Sequence, residues 1–106
     1  MYKLIIFVPE DALEQVKLAV FAAGAGHLGH YSDCCWQVLG QGQFRPRQGA
    51  NPVLGALDAL TCVAEYRLEL LCDASCIRDV VSALRQAHPY EEPAFEVLAL
   101  VAEDNW

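Results

Sequence analysis

The chain has 106 residues, with 14 Asp and Glu against 7 Lys and Arg, a formal net charge of −7 and 55% hydrophobic residues. A single domain spanning 1–106 buries roughly two thirds of the surface its unfolded form exposes, so it holds a core without disulfide or metal staples. The charge argues against a nucleic-acid backbone or an anionic membrane as main partner, because both need a basic patch and the basic residues are scattered.

Tyr2–Val8, rich in Ile, Phe and Val and bounded by Pro9, predicts a strand. Pro9-Glu10-Asp11 opens a helix, since proline suits a first turn and acids suit its positive end. Leu13, Val16, Val20 and Ala23 recur at helical spacing until Gly24 stops it. Cys34–Gly40 reads as a second strand. From Gln41 to Thr61 there is no period, and Pro46, Gly49, Pro52 and Gly55 mark a long loop, of the kind that is functional or mobile. Cys62–Cys72 alternates, with Glu65, Arg67 and Glu69 facing one way and Tyr66, Leu68, Leu70 and Cys72 the other. Asp73 or Ser75 caps a second helix with Ile77, Val80, Val81, Leu84 and Ala87 as its buried stripe, and His88-Pro89 ends it. Phe95–Val101 is the last strand. The order β-α-β-β-α-β predicts an α+β, ferredoxin-like sandwich: a four-stranded antiparallel sheet with two helices on one face.

The first and last strands carry apolar residues on both faces, so something is expected to cover the face opposite the helices. Either copies of the chain do so, in a homo-oligomer, or the loop 41–61 folds back over its own sheet. Five cysteines, Cys34, Cys35, Cys62, Cys72 and Cys76, are an odd number for a secreted disulfide framework. The apolar N-terminal run is too short for a signal peptide, and no run reaches the roughly 20 residues of a membrane span. These features read as a reduced, cytoplasmic protein.

Gly24-Ala-Gly-His-Leu-Gly29 has the GxGxxG spacing of a dinucleotide site but follows a helix and precedes a strand, the reverse of what that site needs; the glycines read as a turn. Candidate metal ligands form two clusters, His27, His30, Cys34 and Cys35 in and after that turn and His88, Glu91 and Glu92 after the second helix. Both follow a helix and are expected at the same end of the sandwich, where a mixed site could assemble; the alternative is ordinary turn histidines. There are no CxxC pairs for a closed zinc site. Cys34 near the two histidines could be an activated thiol or a buried small hydrophobe. His88-Pro-Tyr-Glu-Glu-Pro93 is either a ligand-contacting turn or a rigid helix-to-strand connection.

Taken in order, Gly24-Ala-Gly-His-Leu-Gly-His-Tyr-Ser-Asp-Cys34, Gly40-Gln-Gly-Gln-Phe-Arg-Pro46, Gly49-Ala-Asn-Pro-Val-Leu-Gly55, Val63-Ala-Glu-Tyr-Arg-Leu-Glu69 and His88-Pro-Tyr-Glu-Glu92 resemble the YqfO-type domain. This is the module inserted in bacterial members of the NGG-one-interacting factor three family. The resemblance implies a CutA/PII-like variant of the ferredoxin-like fold, a group that commonly forms trimers. The motif positions it carries are Gly24, Gly26, Gly29, Tyr31, Cys34, Phe44, Pro46, Asn51, Pro52, Glu65, Arg67, His88, Tyr90, Glu91 and Glu92. His30 departs from the pattern, where an amide precedes the tyrosine. The dinuclear metal centre of the full-length proteins belongs to a flanking domain whose ligand motifs are absent from this sequence, so the resemblance implies no hydrolase activity. The expectation is a non-catalytic, homo-oligomeric binding or regulatory module, a trimer by preference, holding a divalent metal ion or small ligand near His27, His30, His88, Glu91 and Glu92. A protein that docks on a larger partner is the second reading, and an enzyme using a thiol or metal-bound water the third.

Overall fold

The computed structural model describes residues 1–106, and the alternating apolar positions become a four-stranded sheet. Strand β1 (Tyr2–Pro9) sits between β3 (Thr61–Cys72) and β4 (Phe95–Ala99), and β2 (Trp36–Phe44) pairs with the other edge of β3. All three pairings are antiparallel. After a 3-10 turn over Glu10–Ala12, helix α1 (Leu13–Ala22) crosses one face, and α2 (Ile77–Ala87) lies beside it. This is the ferredoxin-like sandwich that the element order predicts.

The core forms where the two periodicities meet. Leu4, Ile6 and Val8 of β1 and Leu68, Leu70 and Cys72 of β3 face the helices and pack on Val16 and Val20 of α1 and Val80 and Leu84 of α2. Leu4, Ile6, Val8 and Leu68 are wholly buried. Each such side chain contributes roughly 1.5–3 kcal/mol relative to full exposure.

Three boundaries move, each for a tertiary reason. β2 continues through Gly40 and Gly42 to Phe44 because these residues pair with Glu65, Val63 and Thr61 of β3, so ladder bonding overrides the local glycine signal. β4 ends at Ala99, opposite Tyr2, and one further bond, from Leu100 N–H to Met1 O at 3.1 Å, closes the pairing. Neither Asp73 nor Ser75 caps α2. Cys76 is its N-cap, without a side-chain bond to the helix, and Asp73 instead closes the preceding turn by accepting Cys76 N–H at 3.1 Å.

A fourth difference governs the site. β1 and β3 are antiparallel, so the helices that return from them are antiparallel too, and their C-terminal turns leave opposite ends of the sheet. Gly26 N–H after α1 donates to Leu71 O at 2.8 Å, whereas His88 after α2 lies 2.8 Å from Phe7 O, and Gln15 near the start of α1 donates to Ala87 O at 2.7 Å. The expectation that the two turns share one end is therefore corrected.

Register also defines the outer face. Trp36, Glu69 and Ile5 are aligned across β2, β3 and β1, as are Val38, Arg67 and Phe7. Lys3–Glu69 and Arg67–Glu69 ion pairs at 3.4 and 3.5 Å run along this face, and the Arg67 guanidinium lies 5.8 Å from the Phe7 ring centroid. Trp36, Val38 and Leu98 remain 60%, 44% and 45% exposed, so the loop does not cover this face.

Candidate ligand cleft at the turn after α2

His88 closes α2, its N–H donating to Leu84 O at 2.9 Å. Its ring is 5% exposed and both nitrogens are engaged: Nε2 lies 2.8 Å from Phe7 O, and Nδ1 accepts Tyr90 N–H at 3.2 Å. A carbonyl needs a donor and an amide N–H needs a lone pair, so the imidazole is neutral with its proton on Nε2. Burial lowers its pKa from 6.5, against opposing pulls from the Phe7 carbonyl and Glu65. The expected metal ligand is thus a structural histidine with no lone pair to offer.

What His88 holds in place is Tyr90, whose ring centroid lies 5.1 Å from the imidazole and 6.1 Å from the Phe44 ring at the end of β2. The Tyr90 hydroxyl is buried beside the Glu65 carboxylate, without a hydrogen bond of regular geometry. Burial raises its pKa to about 12, and the negative charge of Glu65 and its pull on the hydroxyl proton add to the effect. Glu65 is half-buried and forms no ion pair, and the Tyr90 hydroxyl is the donor next to it. Its carboxylate occupies the space above Gly42, where a Cβ would collide with it. Gly42 is a residue whose role the sequence reading missed; the signal was a glycine on the edge strand beside an inward-leaning acid.

Around these groups is a cleft of about 300 Å³ with Phe44, Pro46, Pro52, Glu65, Tyr90 and Glu91 among its walls, Glu92 at its rim, and no Lys, Arg or His lining it. A wider groove of about 600 Å³ opens on the other side of Tyr90, against Pro9, Asp11 and Leu54. The loop 45–60 supplies one wall and is not structureless. Arg45 donates to Asp58 O at 2.7 Å, Arg47 pairs with the Asp58 carboxylate at 3.3 Å, and Asp58 N–H returns to Pro46 O at 2.6 Å. Asn51 N–H donates to Glu91 Oε1 at 3.1 Å and ties the loop to the turn. Two rings and a carboxylate without a cationic partner suit a small ligand bearing N–H donors or positive charge.

The other predicted positions lie at the opposite end. Gly24, Gly26 and Gly29 take φ of +116°, +85° and +57°, as the turn reading requires. Gly26 is also closed in, since a Cβ there would sit 2.7 Å from the Phe21 ring and 3.0 Å from Cys34 O. His27, His30 and Tyr31 are exposed, and Cys34 Sγ donates to Ser32 O at 3.6 Å. His27 and His30 are therefore separated from Glu91 and Glu92 by the length of the sheet. Nowhere do three or more His, Cys, Asp or Glu side chains converge on a position for one metal ion. No helix is long and apolar enough to cross a membrane.

No family model matches the chain. A GTP cyclohydrolase 1 type 2 homolog from Mycobacterium leprae is 52% identical over 99 residues, covering 93% of this chain and 26% of that protein. Among solved structures, a Bacillus cereus protein related to NIF3 superposes with a TM-score of 0.80 at 40% identity, over 93% of this chain and 25% of the other. The PII-like protein CutA from Nostoc, at 17% identity, gives 0.66 over 94% of this chain and 81% of its own, a likeness of fold. The chain spans about a quarter of the length of the curated relatives it matches. Through that quarter, the chain belongs to the family of NIF3-related GTP cyclohydrolase 1 type 2 homologs, with a CutA-like fold.

Proposed function

We propose that the chain is a non-catalytic, homo-oligomeric binding or regulatory module of the cytoplasm, a trimer by preference, that takes a small cationic or N–H-rich ligand in the Tyr90 cleft. The observation that carries this reading is the half-buried Glu65 carboxylate, which has no cationic partner, in a cleft that no Lys, Arg or His lines. A carboxylate held partly out of water without a cation costs stability, and a cationic or donor-bearing ligand offsets that cost. Oligomerisation is supported by the open outer face, where Trp36 and Val38 lie next to the Arg67–Glu69 pair. Burying such a patch is favourable at about 25 cal/mol per Å² of apolar surface. The cyclohydrolase named in the relatives is not part of this reading.

A divalent metal ion is a second occupant in the same class of function. At His27 and His30 it would draw its remaining ligands from another copy, since this chain gathers no third donor there. Light scattering tests the assembly: a trimer that Trp36→Glu converts to monomer is expected, and a monodisperse wild-type monomer at micromolar concentration overturns it. Calorimetric titration with guanidinium and primary-amine compounds tests the cleft. Binding is expected to weaken at least tenfold in Glu65→Gln, and equal affinity in both proteins excludes the site. Metal titration of untagged protein addresses the histidine pair, and an unchanged Tm with Zn, Cu, Ni or Co removes that occupant.

A further inference from the structure

Away from the cleft, the junction between β3 and α2 holds two thiols in contact. Cys72 ends β3, Cys76 is the N-cap of α2, and their Sγ atoms lie 3.5 Å apart. The turn between them is closed by Cys76 N–H donating to Asp73 O at 3.1 Å. Cys76 Sγ is also held from behind, 3.6 Å from Gly24 O. Gly24 is suited to that approach because a Cβ there would stand 3.2 Å from both Cβ and Sγ of Cys76. None of the five cysteines is in a disulfide.

We infer that Cys72 and Cys76 are a dithiol oxidation site that closes to an intramolecular disulfide in the folded chain. Closure needs the sulfurs to approach by about 1.5 Å, to a bond of about 2.05 Å. The two thiols have different tasks. Cys72 is buried, and burial raises its pKa to about 12, with the hydrogen bond and charge of Cys76 adding to the effect. Cys76 is partly exposed and is the sulfur an oxidant meets.

The oxidant is a low-molecular-weight disulfide. Cys76 loses its proton and its thiolate attacks one sulfur, forming a mixed disulfide and expelling one thiolate. Capping Cys76 places an electrophilic sulfur against Cys72. Cys72 gives up its proton to solvent base as it attacks the Cys76 sulfur, forming the Cys72–Cys76 bond and expelling the second thiolate. The protein gives up two electrons and two protons, and the oxidant becomes two thiols.

The folded chain is equilibrated with mixtures of oxidised and reduced glutathione, quenched in acid, alkylated and digested with trypsin. The peptide Leu68–Arg78 carries both thiols and no other cysteine. It is expected unalkylated and about 2 Da lighter, the mass of two hydrogens, and to be restored by dithiothreitol. Cys72→Ala is expected to stop at the glutathione adduct of Cys76. Cys76→Ala is expected to leave Cys72 reduced while exposed Cys62 reacts. If Leu68–Arg78 takes up two alkyl groups at a poise where Cys62 is fully modified, the inference is overturned. It is equally overturned if the bond forms only in urea.

Discussion

The two helix-to-strand turns are built from similar chemistry and do opposite things. The turn after α1 is made of glycines and leaves His27 and His30 in solvent, whereas the turn after α2 is bracketed by Pro89 and Pro93 and buries His88 against Phe7 O. Position in the sandwich, rather than residue type, decides what a histidine does here. A buried ring with both nitrogens bonded is a structural strut, and an exposed pair is a set of free donors.

The contrast is broken most directly by alanine at each histidine. His88→Ala leaves Phe7 O and Tyr90 N–H without partners and empties a buried site, so a loss of about 2–4 kcal/mol is expected in urea unfolding. His27→Ala and His30→Ala are expected to stay within about 0.5 kcal/mol; equal losses at all three would erase the distinction. Next in size, Gly26→Ala meets the Phe21 ring and Cys34 O from a strained φ and is expected to cost about 2–3 kcal/mol, against about 1 kcal/mol for Gly29→Ala, which has open space around it.

Acid sharpens the same comparison. His88 has a folded-state pKa below the unfolded 6.5, so between the two values the unfolded chain binds the extra proton. Its contribution is complete above pH 6.5 and declines as pH falls below it. An unfolding series from pH 8 to 5 is expected to show this decline in wild type and to lose it in His88→Gln, while the His27 and His30 variants retain it. The smallest effect belongs to Tyr90. Its pKa rises from 10.0 to about 12 on folding, so its share of stability is complete below pH 10 and is lost as pH rises towards 12. Tyr90→Phe removes the hydroxyl beside Glu65. It is expected to change stability by no more than about 1 kcal/mol at pH 7 and to flatten the alkaline decline. An alkaline decline that persists in Tyr90→Phe would assign it to another group.

Most of the fold was legible because its signals are local. Leu13, Val16 and Val20 announce α1, and the alternation from Glu65 to Cys72 announces β3. β2 was misjudged at its end, since Gly40 and Gly42 discourage a strand locally and only pairing with β3 restores it. The site was half legible. The residues themselves mark the turn with Tyr90 and Glu91, whereas Glu65, Phe44, Pro46, Asn51 and Pro52 come from family resemblance, because no spacing rule says that a loop forty residues upstream will tie Asn51 to Glu91. For His88 the sequence shows a histidine between prolines and acids but not the burial that engages both nitrogens. The two turns lie at opposite ends because the antiparallel pairing of β1 with β3 reverses the second helix, a relation that no local spacing carries.

Helices of ten and eleven residues reach about 15–17 Å, while the twelve residues of β3 reach about 40 Å. β1 accompanies β3 only as far as Glu65, so residues 61–64 have β2 as their sole neighbour in the sheet. A free two-stranded ribbon twists readily and is marginal alone. Phe44 and Gln43 stand on this ribbon and Tyr90 on the rigid body below it, so the cleft is the gap between a lever and its base. The Asn51–Glu91 hydrogen bond spans that gap and is the strut that fixes the lever against its base.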